Sequence, residues 1–199
     1  MLKLYLIRHG QTELNKVRRF QGRIDVPLNE TGIGQAQKLA LRLSSEPLDK
    51  IYTSPLSRAQ QTAEIIRSNH QIDIMTNEEL VEMSFGSLEG KTYWEVNEIF
   101  PDWNASVFDF TFAGGENLDN LVVRMKSFLD IVKKQDENSN ILLVTHSGCL
   151  RVILCLLLGI DVNKWWQFKI DVASLTVVDN VTQGAVLTLL NDTSHLNGG

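Results

Sequence analysis

Leu2-Lys3-Leu4-Tyr5-Leu6-Ile7-Arg8-His9-Gly10 is the stretch whose reading decides the fold. An apolar run that stops abruptly at Arg-His-Gly reads as a buried β-strand. It delivers a guanidinium and an imidazole to the carboxyl edge of a sheet, where open α/β folds bind ligands. Gly10 is expected to let a ligand approach the backbone. A single histidine after a strand is an ordinary residue, so the case rests on later segments of the same design.

Lys50-Ile51-Tyr52-Thr53 runs into Ser54-Pro55-Leu56-Ser57-Arg58-Ala59-Gln60-Gln61-Thr62-Ala63. This reads as a strand feeding a helix, with Ser54 as cap, Pro55 in the first turn and Arg58 soon after. Asn140-Ile141-Leu142-Leu143-Val144 runs into Thr145-His146-Ser147-Gly148, so His146 also stands at a strand end. Glu82 opens the segment Glu82-Met83-Ser84-Phe85-Gly86-Ser87-Leu88-Glu89-Gly90. Two histidines, two arginines and a glutamate in these places supply what phosphoryl transfer needs: a nucleophile, clamps for charge and a proton donor.

Strands are predicted near 2–7, 50–53, 72–75, 140–145, 173–179 and 184–190. Helices are predicted at 31–45, 55–69, 92–99, 117–135 and 148–158. The first has Thr31 near its cap and Ile33, Ala36, Leu39, Ala40 and Leu43 on one face. The alternation predicts an α/β fold, a three-layer α/β/α sandwich. Val181-Thr182-Gln183-Gly184 reads as the turn of a closing hairpin, so the central sheet should be mixed and mostly parallel. With 199 residues, 43% of them hydrophobic, the chain suits a single domain, 1–199, whose tail at 191–199 frays.

A net charge of −5 gives no sign of nucleic-acid binding. Arg8, Arg18, Arg19, Arg23 and Arg58 nevertheless gather in the motif-bearing segments and predict a local positive funnel for an anion. Arg18, Arg19 and Arg23 read equally well as solvated loop charges. Cys149 and Cys155 share one apolar helix, offer neither disulfide nor metal spacing, and read as core. His70 and His195 lie outside the motifs and read as surface residues, so no metal and no cofactor are expected. Thr31-Gly32 and Gly114-Gly115-Glu116 lack the glycine and lysine pattern of a nucleotide loop. The chain starts directly on a strand without the sections of a signal peptide, which predicts a cytoplasmic location. The apolar stretch 149–160 contains Arg151 and falls short of the roughly 20 residues that span a bilayer, so no membrane partner is expected. Homo-oligomerisation is neither indicated nor excluded.

The ordered motifs resemble the histidine phosphatase superfamily, the phosphoglycerate-mutase-like enzymes. Leu6-Ile7-Arg8-His9-Gly10-Gln11-Thr12 is followed by Asn15, Gln21-Gly22, Asp25, Pro27-Leu28, Gly32 and Gln35-Ala36. The segments 54–63, 82–90 and 145–148 complete that family's order over nearly the whole chain. The resemblance implies that His9 becomes a phosphohistidine and that Arg8, Arg58, Asn15, Gln21 and Gly22 hold the phosphoryl group. His146 is expected to be protonated and to donate to it. Glu82 is expected to protonate the leaving group and then deprotonate water. Residue type alone does not separate Glu82 from Glu78, Glu79 and Glu89; the motif match assigns the role.

Two departures from the family pattern stand out. Gln11 replaces a frequent Glu, and the stretch between Glu82 and His146 is shorter than the one covering the site in cofactor-dependent mutases, which favours hydrolysis. The chain looks most like the alpha-ribazole phosphatases of cobalamin assembly, so a small phosphorylated metabolite, alpha-ribazole 5'-phosphate, is the expected partner. The alternatives are a cofactor-dependent phosphoglycerate mutase and a noncatalytic phospho-ligand binding module. Trp94, Phe100, Trp103, Phe108, Phe110 and Phe112 form either a stacking wall for the leaving group or core.

Overall fold

The computed structural model describes residues 1–101, 109–135 and 138–197. Six strands form one sheet in the order β3-β2-β4-β1-β5-β6. They are β1 (Lys3–Arg8), β2 (Lys50–Thr53), β3 (Ile74–Thr76), β4 (Asn140–Thr145), β5 (Leu175–Asp179) and β6 (Val186–Asp192). The pairs β1·β4, β2·β4 and β2·β3 are parallel, whereas β5 runs antiparallel to both its neighbours. The sheet is thus mixed, with the closing hairpin where the turn chemistry places it.

Alternation along the strands sorts side chains between two cores. Leu4, Leu6, Ile141 and Leu143 pack with α5 (Leu118–Gln135) and α6 (Ser147–Leu158). Tyr5, Ile7, Leu142 and Val144 pack on the opposite side with α2 (Glu30–Leu43) and α3 (Ser57–Arg67). Residues i and i+2 share a face in a strand, so a continuous apolar run needs cover on both sides. The helices supply it as a three-layer α/β/α sandwich. Two further short helices are α1 (Glu13–Lys16) and α4 (Tyr93–Ile99), the latter burying Val96 in the core beneath α5 and α6. Cys149 and Cys155 are both free and buried. No helix among the described residues is long and apolar enough to cross a membrane.

The chain leaves β1 for α2 on one face, while β4 feeds α6 on the other. Their adjacent carboxyl ends therefore diverge and open a crevice, the topological switch point of an α/β sheet.

Several local expectations change. α2 begins at Glu30, capped by Asn29 accepting from Gly32 N at 2.8 Å, and not by Thr31. Ile33 is 41% exposed and leaves the buried face to Gly32, Ala36, Leu39, Ala40 and Leu43. α3 starts at Ser57, two residues beyond Pro55, and Ser54 is not its cap. Asp25 binds Ser57 N at 2.7 Å and Ser57 Oγ at 2.6 Å, a cap supplied from 32 residues away. The tail does not fray from residue 191: Asn191 and Asp192 end β6, and a 3₁₀ turn, Ser194–Leu196, follows. His195 Nε2 lies 3.0 Å from Ala173 O, and Lys38 Nζ donates to Leu196 O. His195 and His70 are both half-buried at the surface.

Candidate active site

The crevice holds a pocket of about 320 Å³. Arg8, His9, Asn15, Gln21, Gly22, Arg58 and Glu82 all line it, which unites seven of the eight sequence-derived candidates. The eighth, His146, lies behind it and is fully buried.

His9 directly follows β1, and its backbone N–H donates to Thr145 O at 3.0 Å. Its Nδ1 lies 2.7 Å from Gly10 O. A carbonyl only accepts, so Nδ1 carries the proton and Nε2 keeps the lone pair. Burial, then the Arg58 and Arg8 guanidinium groups, hold the imidazole pKa well below its ordinary value, against the upward pull of the Gly10 bond. The neutral form, with its lone pair on Nε2, is therefore the resting form. Gly10 serves a purpose other than ligand approach: a Cβ there would sit 2.6 Å from Gly32 O. The glycine lets the turn after β1 press against the first turn of α2.

His146 N-caps α6 without a side-chain cap bond. Its Nδ1 accepts from Arg58 Nε at 3.3 Å and its Nε2 meets Ser54 Oγ at 2.8 Å. The Ser54 hydroxyl thus supports a histidine while also accepting from Leu56 N at 3.3 Å, just ahead of α3. Burial first, then Arg58, pushes the His146 pKa well below its usual value. Without a bound anion the ring is thus neutral with both nitrogens engaged by protein groups, whereas the expectation of a protonated, donating His146 concerns the ring beside a phosphoryl dianion. Burial beside guanidinium groups disfavours a further positive charge.

Arg58 is 1% exposed. Its Nη1 donates to Ile24 O at 2.8 Å and its Nη2 to Gly22 O at 2.7 Å. With the Gln21 amide oriented so that its nitrogen donates to Thr12 Oγ1, its oxygen accepts from Arg58 Nη1 at 2.8 Å and shares the single Nε proton, at 2.8 Å, with His146 Nδ1 at 3.3 Å. Burial lowers the Arg58 pKa to about 10, which leaves it charged at neutral pH. Gln21 and Gly22 therefore act on the clamp, since both bind Arg58. Arg8, at the end of β1, donates from Nη1 to Ile170 O at 2.7 Å, while its Nε is buried without a partner among the described residues. Asn15 closes the capping box of α1, whose N-cap is Thr12: its oxygen accepts from Thr12 N at 3.2 Å and Thr12 Oγ1 at 3.1 Å. Its NH₂ is the end left for a ligand.

The Glu82 carboxylate is 8% exposed at the first turn of α6. It accepts from Met83 N at 2.9 Å and Gly148 N at 3.2 Å. A Cβ on Gly148 would lie 2.5 Å from Glu82 Oε1, so only glycine leaves room for this carboxylate.

Of the funnel arginines, Arg18 and Arg19 line the pocket, and Arg19 is paired with Glu95 at 2.9 Å. Arg23 lies outside the lining and bonds to Glu82 O and Glu116. Phe110 reaches the pocket and is 1% exposed, whereas Trp94 is 76% exposed and Phe100 packs on the core. Trp103, Phe108 and the Phe112 side chain lie outside the described residues. The aromatic wall instead includes Phe20, Phe85, Tyr93 and Trp165. Arg151 was also missed as a site residue, though a lone cation inside an apolar helix was the available signal. Among the described residues no cluster of three or more His, Cys, Asp or Glu side chains is arranged to hold a metal ion.

The family model described as Histidine phosphatase superfamily (branch 1) matches residues 4–193. Phosphoserine phosphatase 1 of Hydrogenobacter thermophilus is 38% identical over 98% of this chain and 95% of its own. Alpha-ribazole phosphatase from Shigella flexneri superposes with a TM-score of 0.85 at 31% identity, covering 96% of each chain. A phosphoserine phosphatase mutant from Entamoeba histolytica, solved with phosphoserine, gives 0.84 at 30% identity over 98% of this chain and all of that one.

Proposed function

The chain belongs to the histidine phosphatase superfamily, and from that premise we propose that it hydrolyses a small phosphomonoester through a phosphohistidine on His9. The observation that carries this reading is the His9 tautomer: Nδ1 is committed to Gly10 O and burial keeps the ring neutral, so Nε2 holds an available lone pair. In the first step a bond forms from Nε2 to phosphorus and the ester P–O bond breaks, with the leaving oxygen taking a proton from Glu82. In the second, Glu82 removes a proton from water, the water oxygen bonds to phosphorus and the P–N bond breaks. Arg8 and Arg58 bind the nonbridging oxygens and offset the charge in transit. A dianion beside His146 favours its protonated form, so the bond from Arg58 Nε to its Nδ1 is the contact that substrate can replace.

Two leaving groups compete. Alpha-ribazole 5'-phosphate is supported by the motif resemblance and by the Shigella structure. Phosphoserine, or another small phosphorylated acid, is supported by the Hydrogenobacter relative and by Arg151. Arg151 lines the pocket from α6 with its guanidinium 5.9 Å from the Trp165 ring centroid, and its Nε is buried without a hydrogen-bond partner among the described residues. A carboxylate matches a guanidinium in charge and shape, and the ribazole base carries no such group. We therefore rank the phosphorylated acid first.

The test compares kcat/KM for phosphoserine, alpha-ribazole 5'-phosphate and p-nitrophenyl phosphate, with and without bisphosphoglycerate. Hydrolysis without bisphosphoglycerate is expected, with phosphoserine preferred. Arg151→Leu should lower phosphoserine efficiency roughly ten- to hundredfold, the size of a hydrogen bond to a charged group, and leave p-nitrophenyl phosphate nearly unchanged. An alpha-ribazole preference would reverse the ranking, and a requirement for bisphosphoglycerate would favour the mutase.

A further inference from the structure

Glu82 sits on a segment without helix or strand from Val81 to Phe85, yet almost every carbonyl around it is held by a donor from elsewhere in the chain. Arg124 Nη1 donates to Glu79 O and, at 3.1 Å, to Val81 O. Thr145 Oγ1 donates to Leu80 O at 2.7 Å, and the Cys149 thiol donates to Val81 O at 3.1 Å. Arg23 Nε donates to Glu82 O at 3.2 Å. Glu116 N donates to Ser84 O at 2.8 Å, and the Glu116 carboxylate accepts from Ser84 N at 3.4 Å.

One ion pair lies at the centre of these bonds. Arg124 grips Glu116 with two parallel bonds, Nε to Oε1 at 2.8 Å and Nη2 to Oε2 at 2.9 Å. Glu116 is 8% exposed and also accepts from Arg23 Nη2 at 3.3 Å. A bidentate pair fixes orientation as well as distance. Here the fork spans the chain on both sides of Glu82: Arg124 holds it before the glutamate, and Glu116 holds it after.

We propose that the Glu116–Arg124 pair is a positioning element for the proton-transfer step, fixing where the Glu82 carboxyl meets the leaving oxygen. This rests on the acid–base role given to Glu82 above. Side-chain donors must do here what a regular element does elsewhere, because a loop has no ladder of its own to hold its carbonyls. The binding half of the site lies on other elements, Arg8 on β1 and Arg58 on α3. Loss of the pair should therefore damage proton transfer more than phosphate binding.

The test is Glu116→Gln, which keeps the volume and removes the charge. Turnover of alkyl phosphates should fall roughly ten- to hundredfold, the cost of misplacing a reacting group by about 1 Å. Phosphoenzyme formation from p-nitrophenyl phosphate and the affinity for vanadate should change little. In the double variant with Glu82→Gln no further loss should appear, because both changes remove one function. An equal loss across leaving groups, or a full multiplicative loss in the double variant, overturns the proposal and makes the pair a fold staple only. Should Glu116→Gln fail to fold, Arg124→Lys, which keeps the cation and loses the fork, takes the same readings. A Glu82→Gln variant indifferent to leaving-group basicity sinks the acid role itself, whereas sensitivity in Glu82→Gln alone sinks only the positioning claim.

Discussion

The loops after β1 and β4 leave the sheet from registered positions, Arg8 opposite Thr145, and each begins with a histidine. The rings of His9 and His146 stand 5.1 Å apart at 61°. Both are buried and both are held neutral by burial and by Arg58. They differ in their partners. His9 spends one nitrogen on the carbonyl of its own turn, while His146 spends both, on Ser54 and Arg58. Equivalent positions in equivalent strands thus yield one ring with a free lone pair and one that props the clamp. On the proposed mechanism the two roles differ with how many ring nitrogens the surroundings leave open, and not with residue type or place in the strand.

The largest expected effect separates the two rings directly. His9→Ala should abolish turnover and acid-labile phosphoryl labelling, since a methyl group cannot bond to phosphorus. His146→Ala should slow turnover on the order of a hundred- to a thousandfold, as loss of a charge-stabilising group does, yet still accumulate label on His9. Label on the His9→Ala protein, or its complete absence in His146→Ala, would reverse the assignment.

A smaller effect is expected in stability against pH. Both folded imidazoles have depressed pKa values, so below the ordinary value near 6.5 the unfolded chain binds protons that the folded protein does not. The stability is fully present above about pH 6.5 and is lost as pH falls toward the folded values. Each such histidine contributes a slope of up to about 1.4 kcal/mol per pH unit in that window. Denaturant titrations of wild type and His9→Asn should therefore diverge by about one histidine's slope; parallel curves would show that His9 titrates normally.

Ser54→Ala sharpens the comparison with the smallest change. It strands the His146 Nε2 proton in a buried place, which costs about 1–3 kcal/mol and lowers Tm by about 2–4 °C per kcal/mol in a chain of this size. Activity should drop only a few-fold. An unchanged Tm would mean that His146 is not held through this hydroxyl.

Much of the site was legible because its residues stand at the ends of apolar runs. Arg8, His9 and His146 needed only the strand boundaries, and Glu82 and Arg58 came from motif order. Ser54 and Gly10 were placed correctly but given the wrong partners. In each case the real partner is remote: Asp25 displaces Ser54 as cap, and Gly32 presses on Gly10. The contact of Arg58 with His146 was not legible at all. Arg151, Trp165 and Glu116 passed unremarked or read as bland because nothing local distinguishes them.

By itself, the sequence determined the elements, their alternation and the two-sided burial of the sheet, since periods of 2 and 3.6 act between near neighbours and are written in composition. Only the tertiary structure decided which donor closes on which acceptor. Glu82 meets Gly148 across 66 residues and Arg58 meets His146 across 88. Buried polar groups must be satisfied by whatever the packed layers bring within about 3 Å, and that set does not exist until the two faces of the sheet have closed.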